Sequence, residues 1–368
     1  MSFIHFGCWN YGLCNIDQNQ NGVSKVMSEL KKYDKKVNFV IVAGDNYYDF
    51  EGKREKKEKK KDKSEEKKDK SEEKKIKKFN KDNFESGVTC LNDALKNTKK
   101  YILLGNHEFD QLEEIEEDKE VCNLMRLQKK TFDGSGYEFF EKVITNELEN
   151  TLIIMIDSTL YEMSEKKDAN LYCPNVFPKI ERDYSKLIEE QEKQIKDELI
   201  KNKKENVVIV GHHPIITLKK NDKGKLKNEI LFGLKNLFEN ISTSLNGKKV
   251  YYLCADNHLR QEGELEIKGI KIKQYVSGTG GADLDYCRED IENQLNYRIE
   301  ICNGTYGFYL IEEKGKDLKF NFIDVGVPEE ELKIRFDNEE KWKNEEKLKQ
   351  KYLKYKQKYL QLKKSIYN

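Results

Sequence analysis

No stretch of this chain approaches the roughly 20 consecutive apolar residues needed to span a bilayer, so no membrane segment is expected. The N-terminus offers no signal peptide either, because Phe3-Ile4-His5-Phe6 is too short for an apolar h-region. Net charge is scarce as well. The 68 basic and 67 acidic side chains leave +1, and with it no global bias toward nucleic acid. Cysteine occurs at positions 8, 14, 90, 122, 173, 254, 287 and 302, but with no Cys-x-x-Cys spacing and no compact framework. In a chain of 368 residues that pattern reads as free thiols in a reducing compartment. The expected setting is soluble and intracellular, in the cytoplasm.

Charged residues make up 37% of the chain, and much of that charge is confined to two segments. From Glu51 to Lys75 almost every residue is charged, and Asp-Lys-Ser-Glu-Glu-Lys-Lys occurs in tandem at 62–68 and 69–75. Without an apolar face, residues 51–79 read as a solvated insertion. They are either disordered or an isolated charged helix held by Glu–Lys pairs, with a role in binding an acidic partner left open. The second segment follows Pro328. There Leu348, Tyr352, Tyr355, Tyr359, Leu362 and Ile366 recur at spacings of 4, 3, 4, 3 and 4. That seam suits a coiled coil or docking helix, for a protein partner or self-association; the plainer alternative is a frayed basic helix. The division expected is a domain over 1–327 and a basic amphipathic helical tail over 328–368.

Within the domain, short apolar runs end in polar clusters. Val37 to Ala43 is nearly continuous and β-branched, the mark of a strand buried on both faces, and it runs into Gly44-Asp45-Asn46-Tyr47-Tyr48. Ser2 to Gly7 ends in Gly7-Cys8-Trp9-Asn10, Tyr101 to Leu104 in Gly105-Asn106-His107-Glu108, and Leu152 to Ile156 in Asp157-Ser158-Thr159. Val207 to Val210 ends in Gly211-His212-His213-Pro214, and Lys249 to Leu253 in Cys254-Ala255-Asp256-Asn257-His258. Helical periodicity lies between them, at Val23–Tyr33, Asn83–Asn97, around Leu187, Ile188, Ile195 and Leu199, and over Ile230, Leu231, Leu234, Leu237 and Phe238. Later strands crowd together near 272–276, 307–311 and 318–324. Strands alternating with helices early and clustering late predict a layered α/β fold of two packed sheets.

Polar strand ends converge only if the strands lie side by side with their ends aligned. Asp45, Asn106, His107, His212, His213, Asp256 and His258 would then supply the carboxylate, amide and imidazole donors that a pair of hydrolytic metal ions needs. Asp45 suits the bridging carboxylate of two ions about 3.5–4 Å apart. A lone histidine is more often a satisfied core residue, but four of the five histidines here stand at strand ends.

Gly-Asp-Asn-Tyr-Tyr, Gly-Asn-His-Glu, Gly-His-His-Pro and the terminal Asn-His, followed by Ser277-Gly278-Thr279-Gly280-Gly281, resemble the motifs of the calcineurin-like metallophosphoesterase superfamily. Within it the small purple acid phosphatases are most similar, over residues 3–326. That resemblance implies a four-layer α/β/β/α sandwich of two packed mixed sheets. It also implies hydrolysis of phosphate monoesters, on a small molecule or a phosphoprotein, by a metal-activated hydroxide at a binuclear site of Fe, Zn or Mn. By the same resemblance Asp45 bridges the ions, Tyr48 and His258 bind the first, and Asn106 and His212 bind the second. His107 contacts the phosphate and protonates the leaving oxygen, with His213 as a supporting partner.

Two positions depart from the family pattern. Cys8 stands where an Asp normally serves the first ion, and Asp256 where a His serves the second; a thiolate and a carboxylate still bind metals. Lariat-debranching enzymes also resemble this chain in a first-motif Gly-Cys, which keeps a nucleic-acid phosphodiesterase as the alternative. A catalytically weak or inactive scaffold of the same fold is the other. The Tyr-Lys-Leu tail is similar to tails on proteins of mimivirus-like large DNA viruses, which implies a viral host cytoplasm or virion.

Overall fold

The protein is described by a computed structural model at residues 1–18, 21–48, 81–110, 128, 132, 143–166, 184–220, 226–287 and 297–367. The chain begins with β1 (Ser2–Phe6), α1 (Gly22–Leu30), a 3-10 turn at Lys31–Tyr33, β2 (Phe39–Ala43), α2 (Lys81–Ala94), β3 (Lys99–Leu103) and the short α3 (His107–Asp110). There follow β4 (Ile144–Glu147), β5 (Thr151–Met155), α4 (Thr159–Lys166), α5 (Tyr184–Lys201), β6 (Asn206–Val210), β7 (Ile216–Lys220), β8 (Leu226–Ile230) and α6 (Phe232–Leu245). The last section holds β9 (Lys249–Cys254), β10 (Arg260–Ile267), β11 (Ile270–Ser277), β12 (Arg298–Asn303), β13 (Gly307–Lys314), β14 (Asp317–Asp324) and α7 (Glu329–Tyr367).

One sheet has the order β14-β13-β1-β2-β3 and the other β12-β10-β11-β9-β6-β5-β4. Both are mixed: β1-β2-β3 and β5-β6-β9-β11 are parallel, while hairpins complete the edges. Alternation along each strand builds the layers. Phe39 and Ile41 meet Ile153, Met155, Val208 and Val210 of the second sheet between the sheets. Val40 and Val42 face the other way, onto Val23, Met27 and Leu30 of α1 and Leu91 of α2. On the far side Leu152, Ile154, Val207 and Ile209 pack on Ile195 of α5 and Leu234, Leu237 and Ile241 of α6. The result is the α/β/β/α sandwich. Each such aliphatic side chain contributes about 1.5–3 kcal/mol by leaving water, and burial on both faces explains why the parallel strands read as unbroken apolar runs.

Several elements differ from the sequence pattern. Ile230 and Leu231 belong to no helix: Ile230 pairs with Ile216 in the β7–β8 hairpin, and Leu231 is the extended residue before α6. The hairpin itself was not expected, nor were β4, β10, β12 and α4. The cysteine reading is corrected as well. Cys14 is bonded to Cys90 and Cys287 to Cys302, while Cys8 and Cys254 are the buried free thiols among the described residues. Partners 76 residues apart in sequence meet because α2 folds back against the loop after β1, so no compact framework was needed. This removes the support that unpaired thiols offered for a reducing compartment. Cys122 and Cys173 lie outside the described residues, as does the insertion at 51–79. Among the described residues no helix is long and apolar enough to cross a membrane.

The first turns of α7 rest on the domain. Tyr306 donates to Glu331, Arg335 donates to the carbonyls of Leu284 and Asp285, and Trp342 meets the Tyr286 ring edge-on at 4.7 Å. Further along, Leu348, Tyr352 and Tyr355 are exposed.

Candidate metal centre and active site

Parallel order brings the carboxyl ends of β1, β2, β3, β6 and β9 to one edge of the sandwich, and each end turns sharply there. Cys8, Asp45 and Asp256 all adopt left-handed φ values of 54°, 52° and 54°. For residues with a Cβ this conformation costs about 1 kcal/mol or more and collects at functional sites. Two glycines make room for Asp45. A Cβ on Gly105 would stand 2.2 Å from Asp45 Oδ1, and one on Gly44 would stand 2.7 Å from His212 Nδ1.

Asp45 is the hub. Its Oδ2 accepts from Tyr48 Oη at 2.8 Å and from Cys8 Sγ at 3.7 Å. Its Oδ1 lies 3.2 Å from His212 Nε2 and accepts the His107 main-chain N–H at 3.1 Å. His258 joins the first group, with Nε2 3.0 Å from Tyr48 Oη. Asn106 joins the second, with Oδ1 3.1 Å from His212 Nε2. Both histidines are oriented alike. His212 Nδ1 meets the Ala43 carbonyl at 2.6 Å and His258 Nδ1 the Asp283 carbonyl at 2.8 Å. A carbonyl only accepts, so each Nδ1 carries a proton and each Nε2 is turned inward, that of His212 to Asp45 Oδ1 and that of His258 to Tyr48 Oη.

Burial opposes charge throughout the cluster, and pairing decides which groups keep it. Burial works against the Asp45 carboxylate, but His212 and His107 hold its pKa well below the usual range. Burial likewise opposes charging of His212, and Asp45 overrides it, raising its pKa. Burial, then Asp45, pushes the Cys8 thiol and the Tyr48 phenol up. Burial opposes the Asp256 carboxylate too, and the Lys219 ammonium leads the groups that depress its pKa.

Asp256 falls in a second cluster that shares His212 with the first. Ligand atoms of His212, His213 and Asp256 lie within 4.8 Å of one another, as do those of Cys8, Asp45 and His212. His213 is used differently from His212. Ser158 Oγ accepts the main-chain N–H groups of His212 and His213 at 2.8 and 2.9 Å and lies 3.0 Å from His213 Nδ1. His213 Nε2 is 3.1 Å from Glu162 Oε2. His213 lines an opening of about 180 Å3 with Glu162, Lys227, Glu229, Ile230 and Asp256. His107 is partly exposed, its ring 4.6 Å from that of Tyr48.

The donor set fits metal ions. Ligands sharing one ion at about 2.0–2.3 Å sit roughly 3–4 Å apart, and the spacings around Asp45 run from 2.8 to 3.7 Å. Cys8, Tyr48 and His258 could hold one ion with Asp45 Oδ2. Asn106 and His212 could hold another with Oδ1, whereas Asp256, expected in that set, groups with His212 and His213 rather than with Asp45.

Five supporting residues have no role assigned from the sequence. Buried Glu108 accepts from the main-chain N–H groups of Asn46 and Gly105, both at 2.7 Å, bracing two site loops; burial, then Asp45, raises its pKa to about 8. Ser158, Glu162, Lys219 and Asp285 complete the surroundings. The Glu after Gly-Asn-His was visible as a motif residue, whereas Lys219 and Asp285 sit in segments with no motif.

Mixed sheets in four layers, with carboxylate, thiol, phenol, amide and imidazole gathered at the strand ends, define a metal-site hydrolase architecture. Residues 1–259 match the family model for calcineurin-like phosphoesterase, and the chain belongs to that family. Two solved structures are similar in fold. GAP50, the anchor in the inner membrane complex of Plasmodium, is 12% identical over 89% of this chain and 86% of that one, with a TM-score of 0.53. Purple acid phosphatase PPD1 from yellow lupin (Lupinus luteus) seeds is 11% identical over 88% of this chain, with a TM-score of 0.51. The match spans 51% of the lupin chain, about half its length. No curated protein matches in sequence.

Proposed function

We propose that the chain is a metal-dependent phosphoesterase that hydrolyses phosphate monoesters, on small molecules or phosphoproteins, at a binuclear site shared through Asp45. The observation that carries this reading is Asp45 between two histidines whose Nδ1 protons are tied to main-chain carbonyls, so that Nε2 of His212 faces Asp45 directly and Nε2 of His258 faces Tyr48, which itself donates to Asp45. Fe, Zn or Mn suits the mixture of thiol, imidazole and oxygen donors. When bound, such ions supply an acidified water and neutralise charge on phosphorus. His107, partly exposed beside Tyr48, gives its proton to the leaving oxygen. Ser158 and Glu162 flank His213 at the rim, 3.0 Å from Nδ1 and 3.1 Å from Nε2. The exposed seam of the distal tail is the surface we assign to a protein partner or self-association.

A second reading has its own observation. Lys219 Nζ is held by Asp285 Oδ2 at 2.6 Å, and its ammonium leads the charges that depress the Asp256 pKa, so a side-chain cation already offsets Asp256. That arrangement suits a scaffold that has replaced its second ion, and GAP50 is described as an anchor. Elemental analysis and aryl phosphate turnover separate the two. The enzyme reading expects purified protein to take up Mn, Fe or Zn and Asp45→Ala to lose turnover by orders of magnitude. Activity that appears only in the Cys8→Asp/Asp256→His double variant would establish the scaffold.

A further inference from the structure

Residues 283–286 lie between the candidate centre and the C-terminal helix, and both sides hold them. On the centre side, the Asp283 carbonyl accepts from His258 Nδ1 at 2.8 Å, and Asp285 Oδ2 accepts the His258 main-chain N–H at 2.9 Å. The Asp285 main-chain N–H returns to the His258 carbonyl at 2.7 Å, and Lys219 Nζ meets Asp285 Oδ2 at 2.6 Å. His258 thus takes both its ring orientation and its main-chain position from this loop.

On the other side stands α7. Arg335 donates from Nη1 to the Leu284 carbonyl at 2.6 Å and from Nη2 to the Asp285 carbonyl at 2.8 Å. Its guanidinium lies 4.1 Å from the centre of the Tyr286 ring, and Asn338 Nδ2 donates to Tyr286 Oη at 3.2 Å. Gly304 leaves the passage open, since a Cβ there would stand 2.2 Å from Arg335 Nη2.

We infer that Arg335 is a positioning residue for His258: from the tail it clamps two successive carbonyls of the loop that orients the imidazole. The chemistry suits arginine in particular. A planar guanidinium spans two acceptors at once and stacks on an aromatic face, whereas an ammonium does neither in a fixed geometry. The acceptor for His258 Nδ1 is a main-chain oxygen, so only a hold on the main chain fixes it. The role in ion binding rests on the proposed function of His258; the mechanical coupling does not.

The experiment uses the full-length chain as wild type, Arg335→Ala and Arg335→Lys. Amide hydrogen exchange at His258 is measured on metal-free protein, and affinity for Co2+ by titration. Loss of an outer partner of a metal-binding histidine weakens binding roughly 10- to 100-fold, and that is the loss expected in Arg335→Ala, with faster exchange at His258. Arg335→Lys falls between, and millimolar guanidinium restores affinity to Arg335→Ala through the space beside Gly304. Wild-type exchange at His258 in Arg335→Ala overturns the clamp. Should that variant not fold, wild-type exchange and affinity in Arg335→Lys overturn it instead. A wild-type chain that binds no Co2+ overturns the proposed function, while the exchange data still decide the clamp.

Discussion

His5 is the one histidine away from the strand ends, and it behaves as a core residue of an unusual kind. It lies in β1 with both ring nitrogens buried and without a hydrogen-bond partner. Burial alone lowers its pKa to about 3. Below the ordinary value near 6.5 the unfolded chain gains a proton that the folded chain refuses, so stability falls as pH drops from about 6.5 toward 3. From pH 7 to pH 5 this one group removes about 2 kcal/mol. Urea unfolding at both pH values should show that loss in the wild type and its absence in His5→Leu; equal losses in the two proteins would mean that His5 is not a neutral core residue. His107 invites the opposite test. Its ring is outside the ligand set and only its main-chain N–H touches Asp45. His107→Ala should keep its metal while losing roughly 10^2- to 10^4-fold in turnover, the usual worth of a general acid. Loss of metal in that variant would move His107 into the ligand set.

Elements with a single demand on them were the legible ones. The parallel strands β2, β5, β6 and β9 are buried on both faces, so they read directly as apolar runs, and the motifs that follow them carry the site. β10 was missed although its burial alternates. Gln261 and Gly263 occupy two of its inward positions, where Tyr297 fills the space over the glycine and Leu218 accepts from Gln261, so the period-2 signal is chemically masked. The β7–β8 hairpin was missed because its Lys, Asn and Glu residues resemble a loop, and its placement depends on Gln274, which bonds the main chain at Ile215 and Ile216. Supporting residues are harder still. Asp283 acts on His258 through its carbonyl, which every residue type has, so no side-chain pattern could have announced it. Arg335 lies in a tail whose sequence reads as solvated helix; its function appears only once the chain has brought Gly304 and the 284–286 carbonyls beside it.

At the scale of the whole molecule, the two disulfides among the described residues tie the site loops to the frame. Cys14–Cys90 joins the loop after β1 to α2 across 76 residues, and Cys287–Cys302 joins the loop below His258 to β12 across 15. In the chain-entropy account a cross-link stabilises by limiting the unfolded ensemble, on the order of 4–5 kcal/mol for the longer loop and about 3 for the shorter. The insertion at 51–79 lies inside the longer loop, and because closure entropy grows only logarithmically its deletion should shift stability by less than ~1 kcal/mol. Reduction should therefore lower the melting temperature far more than deletion does. Cys14→Ser/Cys90→Ser should lose more stability than Cys287→Ser/Cys302→Ser, whereas the latter, being nearer His258, should lose more metal affinity. Thiol titration of denatured, unreduced protein gives the independent check. With these four cysteines paired, at most four of the eight can react. Eight reactive thiols, together with a melting temperature indifferent to reductant, would return the chain to the free-thiol reading of its sequence.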